Sequence, residues 1–462
     1  MKKRIFVFLV ALFMVFPFTV NADEINNVES TYSALNGLVT ENGYTYYYVN
    51  GVKQTGFQVI DGKTYFFSRT GLNQMRTGIF QIDGYYYNFD NNGVMQTGWY
   101  TDGNYRYYYD TDGKRVSGFK TIEGKTYFFS RSGDNILRTG IFQIDGYYYN
   151  FDNNGVMQTG WYTDGNYRYY YDTDGKRVSG FKTIEGKTYF FSRSGDNILR
   201  TGFFQIDGYY YYFNNEGVMQ SGWKKINDNY RYFMSNGIMA TGVVNIEGSY
   251  YYFDKDGIIG NGWQTFNSNT YYFDKKTYAA KIGVTSIDNN TYYFNNEGVM
   301  QTGFQAIEGK TYFFSRVGGA LRTGFFQIDG YYYYFNNEGV MQTGWQEMSE
   351  GTRYFDNTGK MQIGIIDING LFYYFNESGL QAWGFQKYNG NTYFFSHIND
   401  HAMRTGFFQI DGLYYYFNEE GIMHVGFQTV EGIRRFFSRL DGHMRTGWTL
   451  IDGYMYYFDP SS

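Results

Sequence analysis

Four histidines and a few short polar motifs are the residues of this chain whose types and spacing could do chemistry. His397 and His401 have the spacing of two metal ligands on one face of a helix. The residues around them favour a β unit with a loop, so we interpret both as surface polar residues. The chain contains no cysteine, which excludes disulfides, thiolate metal sites and cysteine nucleophiles. We therefore predict no metal site.

Two further motifs match phosphate and calcium sites only in part. Gly124-Lys125-Thr126 matches the end of a phosphate-binding loop, but the preceding Gly118 is one residue too far away. Asp110-Thr111-Asp112-Gly113 begins like a calcium loop, and the residues after it lack the pattern. Paired carboxylates of this kind lie in turns that imply no pocket. The sequence predicts no catalytic residues, no cofactor and no enzyme activity.

The elements that carry these motifs are short repeats. Residues Thr77–Arg138 recur letter for letter as Thr139–Arg200, in units of 20, 20 and 22 residues that begin at Thr-Gly or Ser-Gly. In a typical unit, Asp207-Gly208 favours a two-residue hairpin turn. The Tyr209–Phe213 stretch after it is rich in residues that favour strands. Each unit is thus predicted to be one β-hairpin.

The repeats predict an all-β solenoid of tandem hairpins of about 20–22 residues, with about 21 units over residues 36–462. Three hairpin classes alternate. Class A contains Tyr-Phe-Phe-Ser, class B contains Phe-Gln-Ile-Asp-Gly, and class C contains Gly-Trp. Their order suggests roughly three hairpins per superhelical turn, although duplication of a three-unit block would preserve the same order in any geometry.

The first residues predict export. Three basic residues precede an apolar run, and Val20-Asn21-Ala22 is typical of a cleavage site. We therefore expect a signal peptide at 1–22, a leader or linker at 23–35, and no membrane span after cleavage. Removal of three positive charges changes the formal net charge from −5 to −8, which argues against a nucleic-acid partner. The expected location is secreted and associated with the cell surface, held there non-covalently because no sorting signal is present.

The Gly-Trp or Gly-Phe start, a second Gly several residues later and a Tyr-Phe pair resemble the cell-wall-binding repeats of Gram-positive surface proteins. This superfamily includes choline-binding repeats, glucan-binding repeats and the combined repetitive oligopeptides of clostridial toxins. The resemblance covers residues 36–458 and implies a hairpin solenoid with shallow sites between neighbouring hairpins. Such sites bind choline on teichoic acid, glucans or host glycans.

The resemblance also implies which residues bind. Choline-binding repeats have one Trp after the Gly of the unit and a second before Tyr-Tyr. Here the first is retained, and Tyr replaces the second in class B, which favours a saccharide polymer over choline. Core packing remains the alternative for each ring. The candidate ligand-binding residues are Trp99, Trp161, Trp223, Trp263, Trp345, Trp448, Tyr86, Tyr148 and Tyr210.

The sequence thus predicts a secreted, non-enzymatic binding protein with multivalent aromatic sites between hairpins. Its expected partner is cell-wall polysaccharide or teichoic acid, possibly through choline. A toxin-like or adhesin array that binds host glycans is the alternative.

Overall fold

The structure is a computed structural model that describes residues 35–398 and 400–460. Within these residues it contains β-strands and no helix, so the predicted all-β array of tandem hairpins is confirmed. The predicted signal peptide and residues 23–34 of the predicted leader lie outside the described residues. The number of hairpins per superhelical turn stays a prediction. The chain divides into two compact units, one ending at Gln220 and one beginning at Ser221, and each is described by itself.

The first unit contains nine hairpins and one short linker strand. In chain order its strands, β1 to β19, are Gly37–Glu41, Tyr44–Val49, Val52–Lys53, Gly56–Ile60, Lys63–Phe67, Gly78–Ile82, Tyr85–Phe89, Gly98–Asp102, Tyr105–Tyr109, Gly118–Ile122, Lys125–Phe129, Gly140–Ile144, Tyr147–Phe151, Gly160–Asp164, Tyr167–Tyr171, Gly180–Ile184, Lys187–Phe191, Gly202–Ile206 and Tyr209–Phe213.

The second unit contains twelve hairpins and three short linker strands. Its strands, β20 to β46, are Gly222–Ile226, Asn229–Phe233, Gly242–Ile246, Ser249–Phe253, Ile259–Gly260, Gly262–Phe266, Asn269–Phe273, Gly283–Ile287, Asn290–Phe294, Met300–Gln301, Gly303–Ile307, Lys310–Phe314, Gly324–Ile328, Tyr331–Phe335, Gly344–Met348, Gly351–Phe355, Gly364–Ile368, Leu371–Phe375, Gln381–Ala382, Gly384–Tyr388, Asn391–Phe395, Gly406–Ile410, Leu413–Phe417, Gly426–Val430, Ile433–Phe437, Gly447–Ile451 and Tyr454–Phe458.

The predicted Asp-Gly turn closes the class B hairpins. Between β6 and β7, Asp83 has a φ of 49° and Gly84 a φ of 88°, which is the pair of positive values that a type I′ turn requires. The flanking residues Ile82 and Tyr85 are paired across the strands. The turn therefore sets the register, and the register decides which rings face the core.

A linker joins each hairpin to the next and also ties it to the one before. After β7, one carboxylate oxygen of Asp90 accepts hydrogen bonds from the backbone N–H groups of Asn92 and Val94, each at 2.9 Å. Further along the same linker, the N–H of Met95 donates to the carbonyl of Thr64 in the preceding hairpin at 2.7 Å. These short-range bonds place successive hairpins side by side.

The hydrophobic core is a series of small clusters between successive hairpins. In one cluster Phe128 packs with Ile144, Tyr149 and Phe151 of the following hairpin. The Phe151 side chain is 1% exposed, and its ring centroid lies 6.3 Å from that of Phe128. Burial of a large apolar side chain contributes about 1.5–3 kcal/mol. A single hairpin cannot bury these rings, so its neighbours supply the stability.

An exposed ion pair lies at most junctions between a class A hairpin and the hairpin that follows it. The Arg131 guanidinium lies 2.9 Å from the carboxylate of Asp145, in the turn of the next hairpin. The Arg316 hydrogen bond lowers the pKa of the Asp329 carboxyl at an equivalent junction. Exposed pairs contribute little to stability. The equivalent pairs are Arg69–Asp83, Arg131–Asp145, Arg193–Asp207, Arg316–Asp329 and Arg439–Asp452.

The linker glycines give a test of neighbour packing. Gly93 and Gly98 have similar φ values of 80° and 83°, so alanine causes comparable backbone strain at both. A Cβ at Gly93 would lie 2.4 Å from Met75 Sδ, whereas at Gly98 it would meet nothing within 4 Å. Overpacking costs about 1–3 kcal/mol, so Gly93→Ala should speed amide exchange in the adjacent strands about tenfold more than Gly98→Ala does. Equal exchange in the two variants would contradict neighbour packing as the source of stability.

Candidate functional site

Five of the six tryptophans that follow a hairpin glycine lie at the junctions between hairpins and are partly exposed. Trp99, on β8, pairs with Tyr108 on β9. The side chains of Trp99, Trp161, Trp223, Trp263 and Trp345 are all between 37% and 40% exposed. Each indole is thus held by packing and still presents about a third of its surface to solvent.

Two tyrosines hold each of these indoles. The ring of Trp99 lies 5.2 Å from Tyr108 of its own hairpin and 5.0 Å from Tyr127 of the next, at 72° to both. We call this arrangement a Trp platform. The others are Trp161 with Tyr170 and Tyr189, Trp223 with Tyr232 and Tyr251, Trp263 with Tyr272 and Tyr292, and Trp345 with Tyr354 and Tyr373.

Two platforms in the first unit are covered by an arginine. The Arg106 guanidinium lies 4.5 Å from the Trp99 ring centroid, and Arg168 lies at the same distance from Trp161. Each arginine pairs across the hairpin with the residue two positions after the Trp. The arginine therefore lies diagonally opposite the Trp, on the same face of the hairpin. A cation already occupies the ring face at these platforms, so a positively charged ligand is disfavoured there.

The Trp223 platform has an aromatic residue in place of that arginine. Tyr230 occupies the equivalent strand position, and it joins the Trp223 and Tyr251 rings in lining a cavity of about 340 Å³. Ile259, Thr277 and Tyr278 complete the lining, which contains no charged side chain. An uncharged pocket lined by four aromatic side chains suits a quaternary ammonium ion.

Threonine occupies the same position at two further platforms. Thr270 lies beside Trp263, and Thr352 beside Trp345. The Trp263 platform opens into a cavity of about 580 Å³ that Tyr292 and Arg316 also line. The Arg316 guanidinium is paired with the Asp329 carboxylate at 2.7 Å, so its charge is balanced. The ring faces of Trp263 and Trp345 are therefore free of a covering cation in the described structure.

Two other tryptophans have different surroundings. Trp448 is 70% exposed and contacts Tyr457 of its own hairpin at 5.3 Å. Trp383 precedes its glycine rather than following it, and sequence reasoning missed it for that reason. Its ring stacks on His401 at 5.0 Å and 29°, and His401 Nδ1 lies 3.1 Å from the Ser396 carbonyl oxygen.

The three tyrosines singled out from the sequence do not join the Trp platforms. The Tyr86 ring lies 4.2 Å from the Arg115 guanidinium, and Tyr148 lies 4.1 Å from Arg177. Tyr210 stacks on Phe203 at 5.1 Å and 18°. These tyrosines belong to class B hairpins, which have no Gly-Trp. The platform tyrosines are instead the residues that pair with the Trp across its hairpin, or that lie next to it in the following hairpin. Pairing across the hairpin is the signal that could have identified Tyr108 and its equivalents.

The polar motifs serve as turns. The Asp110 carboxylate accepts backbone hydrogen bonds from Asp112 and Lys114 at 3.0 and 2.8 Å. Across residues 35–398 and 400–460 no cluster of three His, Asp or Glu side chains could hold a metal ion. The same part of the chain has no helix that could span a lipid bilayer.

Comparison with known proteins gives matches to two family models. A choline-binding repeat matches residues 220–257, 282–326 and 322–364, and a putative cell wall binding repeat matches residues 201–219, 261–276 and 405–423. No curated protein matches the chain.

Several solved structures from Streptococcus pneumoniae are similar to this chain. They are CbpJ (22% identity, TM-score 0.29, covering 70% of this chain and 99% of CbpJ), choline binding protein F (21%, 0.32, 62% and 98%) and the modular autolysin LytC (19%, 0.25, 53% and 52%). The family assignment rests on the repeat matches and on the hairpin pattern that extends through the described residues. The chain thus carries repeats of the choline-binding and cell-wall-binding superfamily.

Proposed function

We propose that this chain is a secreted, non-enzymatic protein that attaches to a choline-bearing teichoic acid of the cell envelope through several Trp platforms. The observation that carries the proposal is the pocket formed by Trp223, Tyr230, Tyr251 and Tyr278, which is lined by four rings and no charged side chain. The platforms at Trp263 and Trp345 extend it along the second unit. The choline-binding repeat matches overlap all three tryptophan-bearing hairpins or the hairpins next to them.

The chemistry of the pocket favours choline over a neutral sugar. The trimethylammonium group spreads a positive charge over an apolar surface, so it gains from ring electrostatics and from burial together. A primary ammonium loses more hydration when it enters such a pocket. The sequence-based preference for a saccharide rested on the loss of the second tryptophan and on the likeness of residues 261–281 to a toxin repeat, whereas the chemistry of each platform depends on the residue diagonally opposite the retained tryptophan.

Several weak sites explain why the platform is repeated. Linked sites raise avidity by about 10²–10⁴ over one site when they bind the same polymer. A polymer with regularly spaced choline groups would engage the platforms together. The predicted export of the chain agrees with this role.

A saccharide is a second candidate, and it is favoured at the two platforms of the first unit. Arg106 covers part of the Trp99 face, yet the indole remains 37% exposed. An aromatic face beside guanidinium donors suits the C–H face and hydroxyls of a sugar, either of the wall or of a host glycan. This candidate and the ammonium platforms involve different hairpins.

Competition with charged and neutral isosteres tests the proposal. The full chain should bind walls that carry choline-bearing teichoic acid and should be released by free choline. The neutral isostere 3,3-dimethyl-1-butanol should release it poorly, because it lacks the charge that the rings attract. Equal release by both compounds, or retention on walls stripped of teichoic acid, would contradict ammonium recognition. Binding to a glycan alone would support the second candidate.

Tryptophan substitution separates the two groups of platforms. Alanine at Trp223, Trp263 and Trp345 together should reduce wall retention about a hundredfold or more, because avidity is lost. Alanine at Trp99 and Trp161 removes equally packed indoles from arginine-covered platforms and should weaken choline-dependent retention far less. Retention is measured as the bound fraction at increasing protein concentration. The same loss in both variants would show that the arginines do not decide specificity.

Removal of the covering arginine should create new ammonium sites. Arg106→Thr with Arg168→Thr gives two platforms the side chain that accompanies Trp263 and Trp345. We expect the calorimetric stoichiometry for choline to increase, because the ring faces become available. Arg106→Lys with Arg168→Lys keeps the cation and should leave the stoichiometry at the wild-type value. No gain in the threonine variant would show that the platform needs a third ring.

A further inference from the structure

Most linkers of the array place an apolar side chain against a glycine of the following linker. Met95 fills the space at Gly113, where an added Cβ would lie 2.3 Å from the sulfur. Leu137 fills the same space at Gly155. We call the side chain in this position the linker knob. A methionine or leucine side chain fits in this position only because the glycine that it packs against has no Cβ.

Several junctions depart from this rule, and two of them are copies of one sequence. At the junction after β9, the knob is Arg115, and the residue in the place of the glycine is Asn135, with a φ of 51°. The same change occurs at Arg177 and Asn197. A side chain in that place leaves no seat for methionine, so a polar knob replaces it. At other class A hairpins with glycine, Gly319 and Gly442, the knobs are again methionines, Met300 and Met423.

The Arg115 side chain is held in place but has no counter-ion. Its guanidinium lies between the Tyr86 and Tyr107 rings, at 4.2 and 4.6 Å. Its Nε is buried and has no hydrogen-bond partner in the described chain. No carboxylate of the described residues lies within ion-pair distance of it. By contrast, the polar knob Lys53 is paired with Glu41 at 3.2 Å.

The nearby Tyr109 hydroxyl does not supply the missing charge. It is buried and without a partner in the described part of the chain. Burial raises the pKa of Tyr109 to about 12, and the effect of Arg115 in lowering it is smaller. The phenol is therefore neutral at physiological pH. Arg115 therefore has no ion-pair partner among the described residues.

Arg115 lines an open cavity of about 510 Å³ that is bounded by three successive hairpins. Lys114 and Lys120 also line it, together with one carboxylate, Asp110. The carboxylate oxygen of Asp110 already accepts two backbone hydrogen bonds. The second copy, around Arg177, has a cavity of about 450 Å³ with Lys176, Lys182 and Asp172 in the same places. Both linings thus contain three cations and one anion, although Lys114 and Lys176 are also paired with Asp112 and Asp174 at 3.8 Å.

We propose that these two cavities, the Arg115 pocket and the Arg177 pocket, bind the phosphodiester groups of a polyol-phosphate or sugar-phosphate polymer. An arginine fork held between rings is suited to two parallel hydrogen bonds to a phosphate. Exposed rings from two hairpins, Tyr85 at 52% and Phe119 at 38%, flank the lining and can contact the polyol or sugar. A phosphodiester carries its charge within the chain, so polymer extends from both sides of the anion. An open cavity accommodates that shape.

This site adds a second chemistry to the proposed wall attachment and does not depend on it. The Trp platforms recognise a cation on the polymer, whereas the Arg115 pocket and the Arg177 pocket recognise the anionic backbone. The two can therefore be removed separately.

Calorimetry with the full chain and a synthetic glycerol-phosphate oligomer tests the proposal. Arg115→Gln with Arg177→Gln should reduce affinity about tenfold or more, because a charge-assisted hydrogen-bond pair is lost. The matched control, Arg131→Gln with Arg193→Gln, removes the same charge from exposed pairs with Asp145 and Asp207 and should change affinity less than twofold. The slope of affinity against salt should fall only in the first variant.

Other results would overturn the proposal. Equal losses in both variants would indicate diffuse charge attraction, and tighter binding of polygalacturonate than of the phosphate oligomer would assign the cavities to carboxylates. Inorganic phosphate should bind more weakly than the oligomer, because it lacks the flanking polyol. If the glutamine variant unfolds, as judged by circular dichroism, Lys120→Gln with Lys182→Gln offers a milder test with the same expected direction. Triple alanine at Trp223, Trp263 and Trp345 should leave oligomer binding intact.

Discussion

The contact between aromatic rings of successive hairpins is the interaction on which this structure depends. A two-stranded hairpin has no second layer of its own, so rings such as Phe128 and Phe151 are buried only when the next hairpin covers them. The linker bonds, such as that from Met95 to Thr64, then fix one hairpin on another. Stability in this array is therefore a sum over neighbouring junctions, with no central core that every residue must reach.

The binding platforms arise from the same contact where it is incomplete. The Tyr127 ring of the next hairpin meets Trp99 at 72°, which holds the indole and leaves part of it in solvent. A ring in this position is fixed before any ligand arrives, so little side-chain freedom is lost on binding. The side chain diagonally opposite then sets the chemistry. Arginine at 106 covers the ring, whereas tyrosine at 230 adds a third wall to the pocket beside Trp223.

The hairpins could be predicted from sequence because their signals are local. Asp-Gly turns, strand-favouring Tyr runs and the repeat period lie within a few residues of one another. The sites depend on contacts across strands and between neighbouring hairpins, which the repeat period does not reveal. Tyr107 and Tyr108 are adjacent in sequence, yet one is buried beneath Arg115 and the other supports Trp99. That Arg106 covers the Trp99 ring follows only from the strand register. The expected tyrosines, such as Tyr86, lie in other hairpins and do not join the Trp platforms.

The size of the duplicated block follows from the junctions that it must preserve. The class C to class A junction contains both the Trp99 platform and the knob Arg115, and the cavity of that knob also needs Tyr85 from the preceding class B hairpin. The class A to class B junction contains the Arg131–Asp145 pair. A copy of the duplicated class A and class B hairpins alone would place a methionine knob against the asparagine of the next class A linker. A block of three hairpins is the smallest piece that reproduces every kind of junction, and it doubles the platform and the basic cavity in the same step.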